Sequence, residues 1–345
     1  MSDKCRLHPV SWLVLRGYIS TVTYHSLRVS VAVGVLVTAA AGDASAQAYP
    51  NRALRIVVPS SAGSGADFTA RLIAQPLAER LGQQVVVENR AGASTMIGTE
   101  QVAKSAPDGY TVLLGVGTMA TVPAMYRKVP YDVQRDLAPI TQLVSVANVL
   151  VVHPSLPAKS VKELVALARA RPGEIAFASS GTGTLPHLSM ELLLVMTGTK
   201  MLHVPYKGPG PGLLDLVAGR VSAMTTSTAA ALPHVRSGRL RLLGVTAARR
   251  IPAAPEAPTI AEAGVPGYES ANWWGLLVPA GTSGDIVARL HKEAHSVMAM
   301  PFVRERCERE GMTIVIGTPQ EFSAHIRTEI VKWAKIVKSA AIQPE

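Results

Sequence analysis

Leu54-Arg-Ile-Val-Val-Pro-Ser-Ser-Ala-Gly-Ser-Gly-Ala-Asp67 reads as a buried strand, a loop of small residues and the start of a helix. The strand, Leu54 to Val58, is a short apolar, β-branched run stopped by Pro59. From Ser60 to Gly65 almost no side chain stands in front of the backbone. The helix begins near Ala66, with Phe68, Leu72, Ile73 and Leu77 as its apolar face. Its first-turn N–H groups point back at the loop, and the macrodipole makes that end positive. An anion, above all a carboxylate, is the natural occupant. Ser61, Ala62, Gly63 and Asp67 are therefore candidate ligand-binding residues. A plain strand-to-helix turn, with Asp67 favourable to the dipole, is the alternative.

The spacing excludes two sharper motifs. Phe68 stands where a dinucleotide fingerprint needs its third glycine. A P-loop needs a Gly-Lys-Ser/Thr ending, which the loop lacks. Pro76 removes one backbone donor from the helix and predicts a kink or break there.

Upstream, Arg28 precedes the apolar run Val29 to Ala41, followed by Ala46-Gln-Ala48. A positive flank, an apolar core and an A-x-A site predict a signal peptide over 1–48, cleaved after Ala48. The segment before Arg28 is long for such a leader. Its removal takes away Lys4, Arg6, Arg16, Arg28, Asp3 and Asp43, leaving 30 Lys and Arg against 22 Asp and Glu. The remaining positive charges are spread singly, without a basic stripe or interleaved aromatics, which argues against nucleic acid. A modest positive field collects anionic solutes. Cys5 leaves with the leader, so Cys307 stands alone and the exported fold relies on its core.

Downstream, strands and helices alternate, which indicates parallel sheets in an α/β fold. Strands are expected at 84–88, 111–115 and 148–152, with a loop of small residues over Val116 to Thr121. Ligands of open α/β sheets lie beyond the carboxyl ends of the strands, which makes Thr118 and Met119 candidates. A second unit begins after His153-Pro154, with a helix from an N-capping Ser160. Strand Ile175 to Ala178, loop Ser179-Ser-Gly-Thr-Gly-Thr184 and a helix from Pro186 repeat the opening design. Ser180, Gly181 and Thr182 are candidates on the same argument. His187, in the first turn, either donates to a ligand or caps local backbone. Pro205-Tyr-Lys-Gly-Pro-Gly-Pro-Gly212 follows the next strand and adds Tyr206, Lys207 and Gly208. Lys207 either meets an anion or is a surface lysine in a turn. Further strands are expected at 221–225, 241–245, 269–278 and 313–316, and helices at 213–218, 229–237, 283–299, 301–310 and 319–338.

Together these motifs resemble the Bug family, the periplasmic solute receptors of tripartite tricarboxylate transporters. The resemblance rests on Tyr49-Pro-Asn-Arg52, Ile56-Val-Val-Pro59, Val85-Val-Val-Glu-Asn-Arg-Ala-Gly92, Ala106-Pro-Asp-Gly-Tyr-Thr111, His203-Val-Pro-Tyr-Lys-Gly208 and Leu242-Leu-Gly-Val-Thr246, in this order. It covers 49 to about 340. It implies a periplasmic binding protein fold, with two α/β lobes joined by two crossing strands. Residues 49–150 and 271–345 are then expected as the first lobe and 151–270 as the second. It also implies a small carboxylate-bearing solute, a membrane permease as partner, a monomer, no cofactor and no catalysis. The family's loop after the first strand is richer in proline and glycine; Ser60, Ser61, Ala62 and Ser64 depart from it, while Gly63 and Asp67 are kept. The family's aspartate after strand 221–225 is here Thr226, a further candidate, which favours a plain acid over an amino acid.

The alternatives are a sensor docking on a signalling protein and a secreted hydrolase using the interlobe cleft. Against the hydrolase, the sequence has no Gly-x-Ser-x-Gly and no assignable nucleophile–base pair. His291 and His295 sit at i, i+4, but a third metal ligand is not assignable, and they read as a solvated helix face.

Overall fold

The computed structural model describes residues 49–344. The expected signal peptide, 1–48, lies outside them. All named elements fall in the unit Arg52–Glu345. They are, in order, β1 (Leu54–Val58), α1 (Gly65–Leu81), β2 (Val85–Asn89), a single 3-10 turn (Ala93–Thr95), α2 (Met96–Ala103), β3 (Thr111–Val116), α3 (Thr118–Met125), α4 (Val133–Asp136), β4 (Leu137–Val152), α5 (Val161–Ala170) and β5 (Ala176–Ser179). Then come α6 (Leu185–Thr197), β6 (Leu202–Pro205), α7 (Pro209–Val217), β7 (Ala223–Ser227), α8 (Thr228–Arg236), β8 (Arg241–Val245), β9 (Ala271–Pro279), α9 (Gly284–Met298), α10 (Pro301–Arg309), β10 (Met312–Ile314) and α11 (Pro319–Ser339).

The strands join in the order β2-β1-β3-β9-β4-β7-β5-β6, with β10 and β8 also on β4. β1 is parallel to β2 and β3, and β5 is parallel to β6 and β7. β4 organises both halves. Its residues Leu137 to Ala147 pair antiparallel with β9, and Asn148 to Val152 pair antiparallel with β7. The chain returns at Ser270, whose N–H donates to Thr246 O, and β9 starts opposite Ala147. The two crossings therefore lie side by side. There the Thr246 hydroxyl accepts from Asn148 N (2.9 Å) and donates to Asn148 O (3.0 Å). Trp273 and Trp274 lie just on the first half's side, opposite Ser145 and Val144.

The strand expected at 148–152 is thus the last third of a much longer one. Pro139 and two register shifts, after Pro139 and after Gln142, break the alternation that marks a strand. Residues 118–121 are helical, not loop. α3 buries Met119, Ala120, Thr121, Val122 and Met125, and so shows no polar face for periodicity to detect. α1 runs unbroken through Pro76; one lost backbone bond does not end a helix whose other turns are packed. α7 starts four residues before the sequence suggests, because Pro209 at its head and Pro211 in its first turn occupy positions that need no N–H donor. α11 is closed by a capping box between Thr318 and Glu321.

Among the described residues, apolar clusters hold the halves. One gathers Leu113, Met119, Trp273, Phe322 and Trp333 with Phe177 and Leu188 of the second half. Another, around Val149, Met224 and Leu216, lies within the second half. Tyr268 OH donates to Ser189 O (2.9 Å), and Ser270 Oγ meets Ser189 Oγ at 2.5 Å, fastening the returning chain to α6.

Candidate functional site

The loops after β1 and β5 are the same turn built twice, 120 residues apart. Gly63 and Gly183 both lie in the left-handed region, at φ 79° and 73°. Ser64 N donates to Ser61 O and Thr184 N to Gly181 O. Ser64 and Thr184 then take nearly the same dihedrals, φ −70° with ψ 161° and 157°, as N-caps of α1 and α6. In each, the glycine N–H donates to a side chain four residues on: Gly63 to Asp67 Oδ2 at 2.9 Å, Gly183 to His187 Nδ1 at 3.0 Å.

Two candidates have partners within the protein. Asp67 is buried, and its oxygens take the Gly63 amide and the Arg71 Nε (3.0 and 3.1 Å). Burial pushes its carboxyl up, but Arg71, Gly63 and Asn89 outweigh that and hold it below its usual range. It shapes the loop from behind. His187, also buried, caps local backbone and does so through an unprotonated Nδ1.

What remains open is the helix ends. Ser64 Oγ caps Asp67 N, leaving the Gly65 and Ala66 N–H groups in the first turn of α1. Thr184 turns its hydroxyl to Gly181 O (2.7 Å) and caps nothing on α6, and Pro186 brings no donor, so Leu185 and His187 supply the N–H groups there. Thr225 Oγ1 fixes this end by donating to Pro186 O (2.8 Å). Ser61, Ala62 and Gly63 are exposed in the first loop; Ser180 and Gly181 are half-buried and Thr182 exposed in the second.

The other candidates divide. Gly208 N donates to Ser180 O, which brings 206–208 against the second loop. The Tyr206 hydroxyl is already committed to Asp215 (2.7 Å), which Arg220 also holds. Lys207 is exposed and has no protein partner among the described residues. Thr226 is buried, and its Oγ1 has no hydrogen-bond partner among the described residues. Thr118 is half-buried at the head of α3. Met119 is a correction: its side chain is wholly buried against Gly115, because the second residue of α3 faces the core. His291 is another: its Nε2 is 3.0 Å from Gly317 O, so it is not simply solvated.

Two residues of the first half were missed by the sequence reading. Asn272 Oδ1 accepts from Gly117 N (3.1 Å) and Trp273 N (2.9 Å), which fixes its amide and leaves Nδ2 as a donor without a protein partner among the described residues. It stands at the carboxyl end of β3, beside Thr118. Trp274 lies on the head of α1: a Cβ on Gly65 would sit 2.5 Å from its Cη2. The one signal in the sequence is a polar residue and two tryptophans heading an otherwise aliphatic strand. The halves also touch at the site, since the Met125 methyl lies over Gly183. Cys307 is fully buried, and burial, then Glu308, pushes its thiol up to about 11, which makes it a poor nucleophile.

Two α/β halves on a shared strand, each carrying the same strand-to-helix turn with open first-turn N–H groups, are the architecture of a periplasmic-type solute-binding receptor. The family model described as tripartite tricarboxylate transporter family receptor matches residues 69–342. The chain is 38% identical to protein BugT of Bordetella pertussis over 315 residues, 90% of this chain and 97% of that protein. Among solved structures, R. palustris Rpa4515 with adipate is 39% identical, with a TM-score of 0.73, over 86% of this chain and 100% of that one. MatC from Rhodopseudomonas palustris with bound malate is 31% identical, with a TM-score of 0.69, over 84% and 100%. The chain belongs to the tripartite tricarboxylate transporter receptor family.

Proposed function

We propose that the protein is an exported, non-enzymatic receptor that closes two lobes on a small organic acid and presents it to a tripartite tricarboxylate-type permease. The observation that carries this reading is the turn repeated at 61–67 and 181–187, with two helix starts left open to an anion. A carboxylate at each end, or one carboxylate and a polar tail, suits it. The relatives bound to adipate and malate support the same class. Residues 49–150 with 271–345 form one lobe and 151–270 the other, and closure pivots where β4 changes partners. Ser61, Ala62, Ser180 and Thr182 line the acid through backbone, with Asn272 Nδ2, the Thr226 hydroxyl and Lys207 as side-chain donors, while the Gly181 N–H is held by Ser179 Oγ. The protein works as a monomer in the periplasm.

Calorimetric screening of adipate, malate, aromatic acids, amino acids and neutral sugars tests the ligand class. Saturable binding of an acid is expected; a tightly bound sugar with no acid bound would refute the reading. Export has its own test. The chain in the envelope fraction should begin at Tyr49, and a cytoplasmic chain retaining 1–48 would overturn that part.

A further inference from the structure

We propose that a groove behind the hinge sets how tightly the ligand is held: it widens as the lobes close and narrows as they open, so the residues lining it govern affinity without touching the acid. This rests on the receptor reading above. Side chains alternate between the two faces along β4. Val144 is paired with Trp274, which lies on the head of α1, and Leu150 with Thr225, which holds the head of α6. Val144 and Leu150 share one face of the crossing, and both candidate turns attach to it. Ser145 and its β10 partner Thr313 point to the other face. There they line a groove of about 630 Å³.

The two walls of this groove belong to different halves. One is the chain after β8, Ala247 to Arg250. It is tied to the second half by Arg250, whose Nε donates to Glu262 Oε2 (2.9 Å) and whose Nη1 donates to Pro255 O (3.3 Å). The other wall is β10 with Arg304 and Glu308 of α10. It is tied to the first half through Met312, whose Sδ accepts from Thr69 Oγ1 (3.6 Å), and through the Arg306 guanidinium over the Phe68 ring (5.3 Å). Among the described residues, no hydrogen bond or ion pair joins 247–252 to 304–315. Packed halves move as units, and the pivot lies in the sheet itself, at Ala147/Asn148 and Ser270/Ala271. A rotation that brings the turns together on one face therefore separates these walls on the other. The structure has the matching combination. In front, the Met125 methyl of the first half lies over Gly183 of the second, while the groove behind stands open.

Apparent affinity is the intrinsic affinity multiplied by the fraction of unliganded protein already closed. A bulky side chain that fits the wide groove and clashes in the narrow one removes open protein from that balance. Affinity then rises, up to the reciprocal of the native closed fraction. Ala248 and Thr313 are the positions for such a wedge. Both are exposed, one stands on each wall, and neither belongs to the turns that face the acid.

The test compares the mature native protein with Ala248→Trp, Thr313→Trp and, as a control outside the groove, Val331→Trp at an exposed position of α11. Adipate and L-malate are titrated by calorimetry, their release is timed by stopped flow, and the unliganded radius of gyration is measured by small-angle scattering. Both groove variants should hold whichever acid the native protein binds about threefold or more tightly, chiefly through slower release. They should also be more compact than the native protein without ligand, while Val331→Trp matches it. Unchanged or weaker binding in groove variants that keep a native unfolding transition would overturn the proposal, as would an equal gain in Val331→Trp. Because each wall carries its own variant, the failure of one to fold leaves the other to decide. If neither acid binds the native protein, the receptor reading fails. The unliganded radius then still decides on the groove: compaction in the two wedge variants alone supports it, and an unchanged radius refutes it.

Discussion

Replacing Gly65 by valine is expected to lower acid affinity roughly a hundredfold. Trp274 is the neighbour that a side chain at Gly65, in the first turn of α1, would meet first. A Cβ at Gly65 would lie 2.5 Å from Trp274 Cη2 and 3.1 Å from Cζ2, so the branched side chain must displace the indole or the helix start. Either movement fills or tilts the space in front of Gly65 and Ala66. Hydrogen bonds to a charged group contribute about 1.5–3 kcal/mol each, and losing one or two of them corresponds to tens to thousands in affinity. Overpacking costs about 1–3 kcal/mol of stability, which a two-lobe core of this size tolerates. Gly63→Ala is the comparison. Nothing lies within 4 Å of a Cβ there, but φ is 79°, so the cost is backbone strain of about 1–2 kcal/mol rather than a blocked site. Calorimetry with adipate and thermal unfolding on both variants separate the two effects. Equal affinity losses in the two would show that the opening at Gly65 is not where the acid sits.

How much of this was legible depends on where the side chains point. The first turn was readable because Gly63, Ser64 and Asp67 act locally, within four residues of one another. The boundaries of β1, β8 and α11 follow from the same kind of local pattern. β4 was not readable as one strand, since its path through Pro139 depends on bulges that only its pairing with β9 reveals. α3 was not readable as a helix because it is buried nearly all round. Asp67 and Tyr206 lie at the loops where the sequence puts them, yet their polar atoms are spent on Gly63, Arg71 and Asp215. Sequence places a residue in a loop; it does not say whether its hydrogen bonds are already used. Asn272 is the reverse case. Its importance comes from Gly117, 155 residues away, which no local pattern links to it.

Trp274, and not Trp273, should report ligand binding. Trp273 is fully buried, edge-on to Phe322 at 5.3 Å and to His325 at 5.8 Å, inside the first half's core. Packed cores resist continuous deformation, so its surroundings should not change on closure. Trp333 is equally insulated, with its Nε1 donating to Glu329 at 2.9 Å. Trp274 instead touches the helix end proposed to receive the acid and sits two residues from Asn272. Adding adipate or malate should change the emission saturably in the native protein and in Trp273→Phe, and should change nothing in Trp274→Phe. Binding should also raise stability by RT ln(1 + [L]/Kd), about 2.7 kcal/mol at a hundredfold excess over Kd. Compaction is the companion observable. If the halves pivot at Ala147/Asn148 and Ser270/Ala271, where β4 and the returning chain lie side by side, small-angle scattering on the same samples should show a smaller radius of gyration with ligand. The two signals should share one midpoint, because the turn that holds the acid and the hinge that closes over it belong to the same two-state movement. Tight binding with an unchanged radius and unchanged emission would mean that the acid enters a site already closed, and that capture does not proceed by lobe movement.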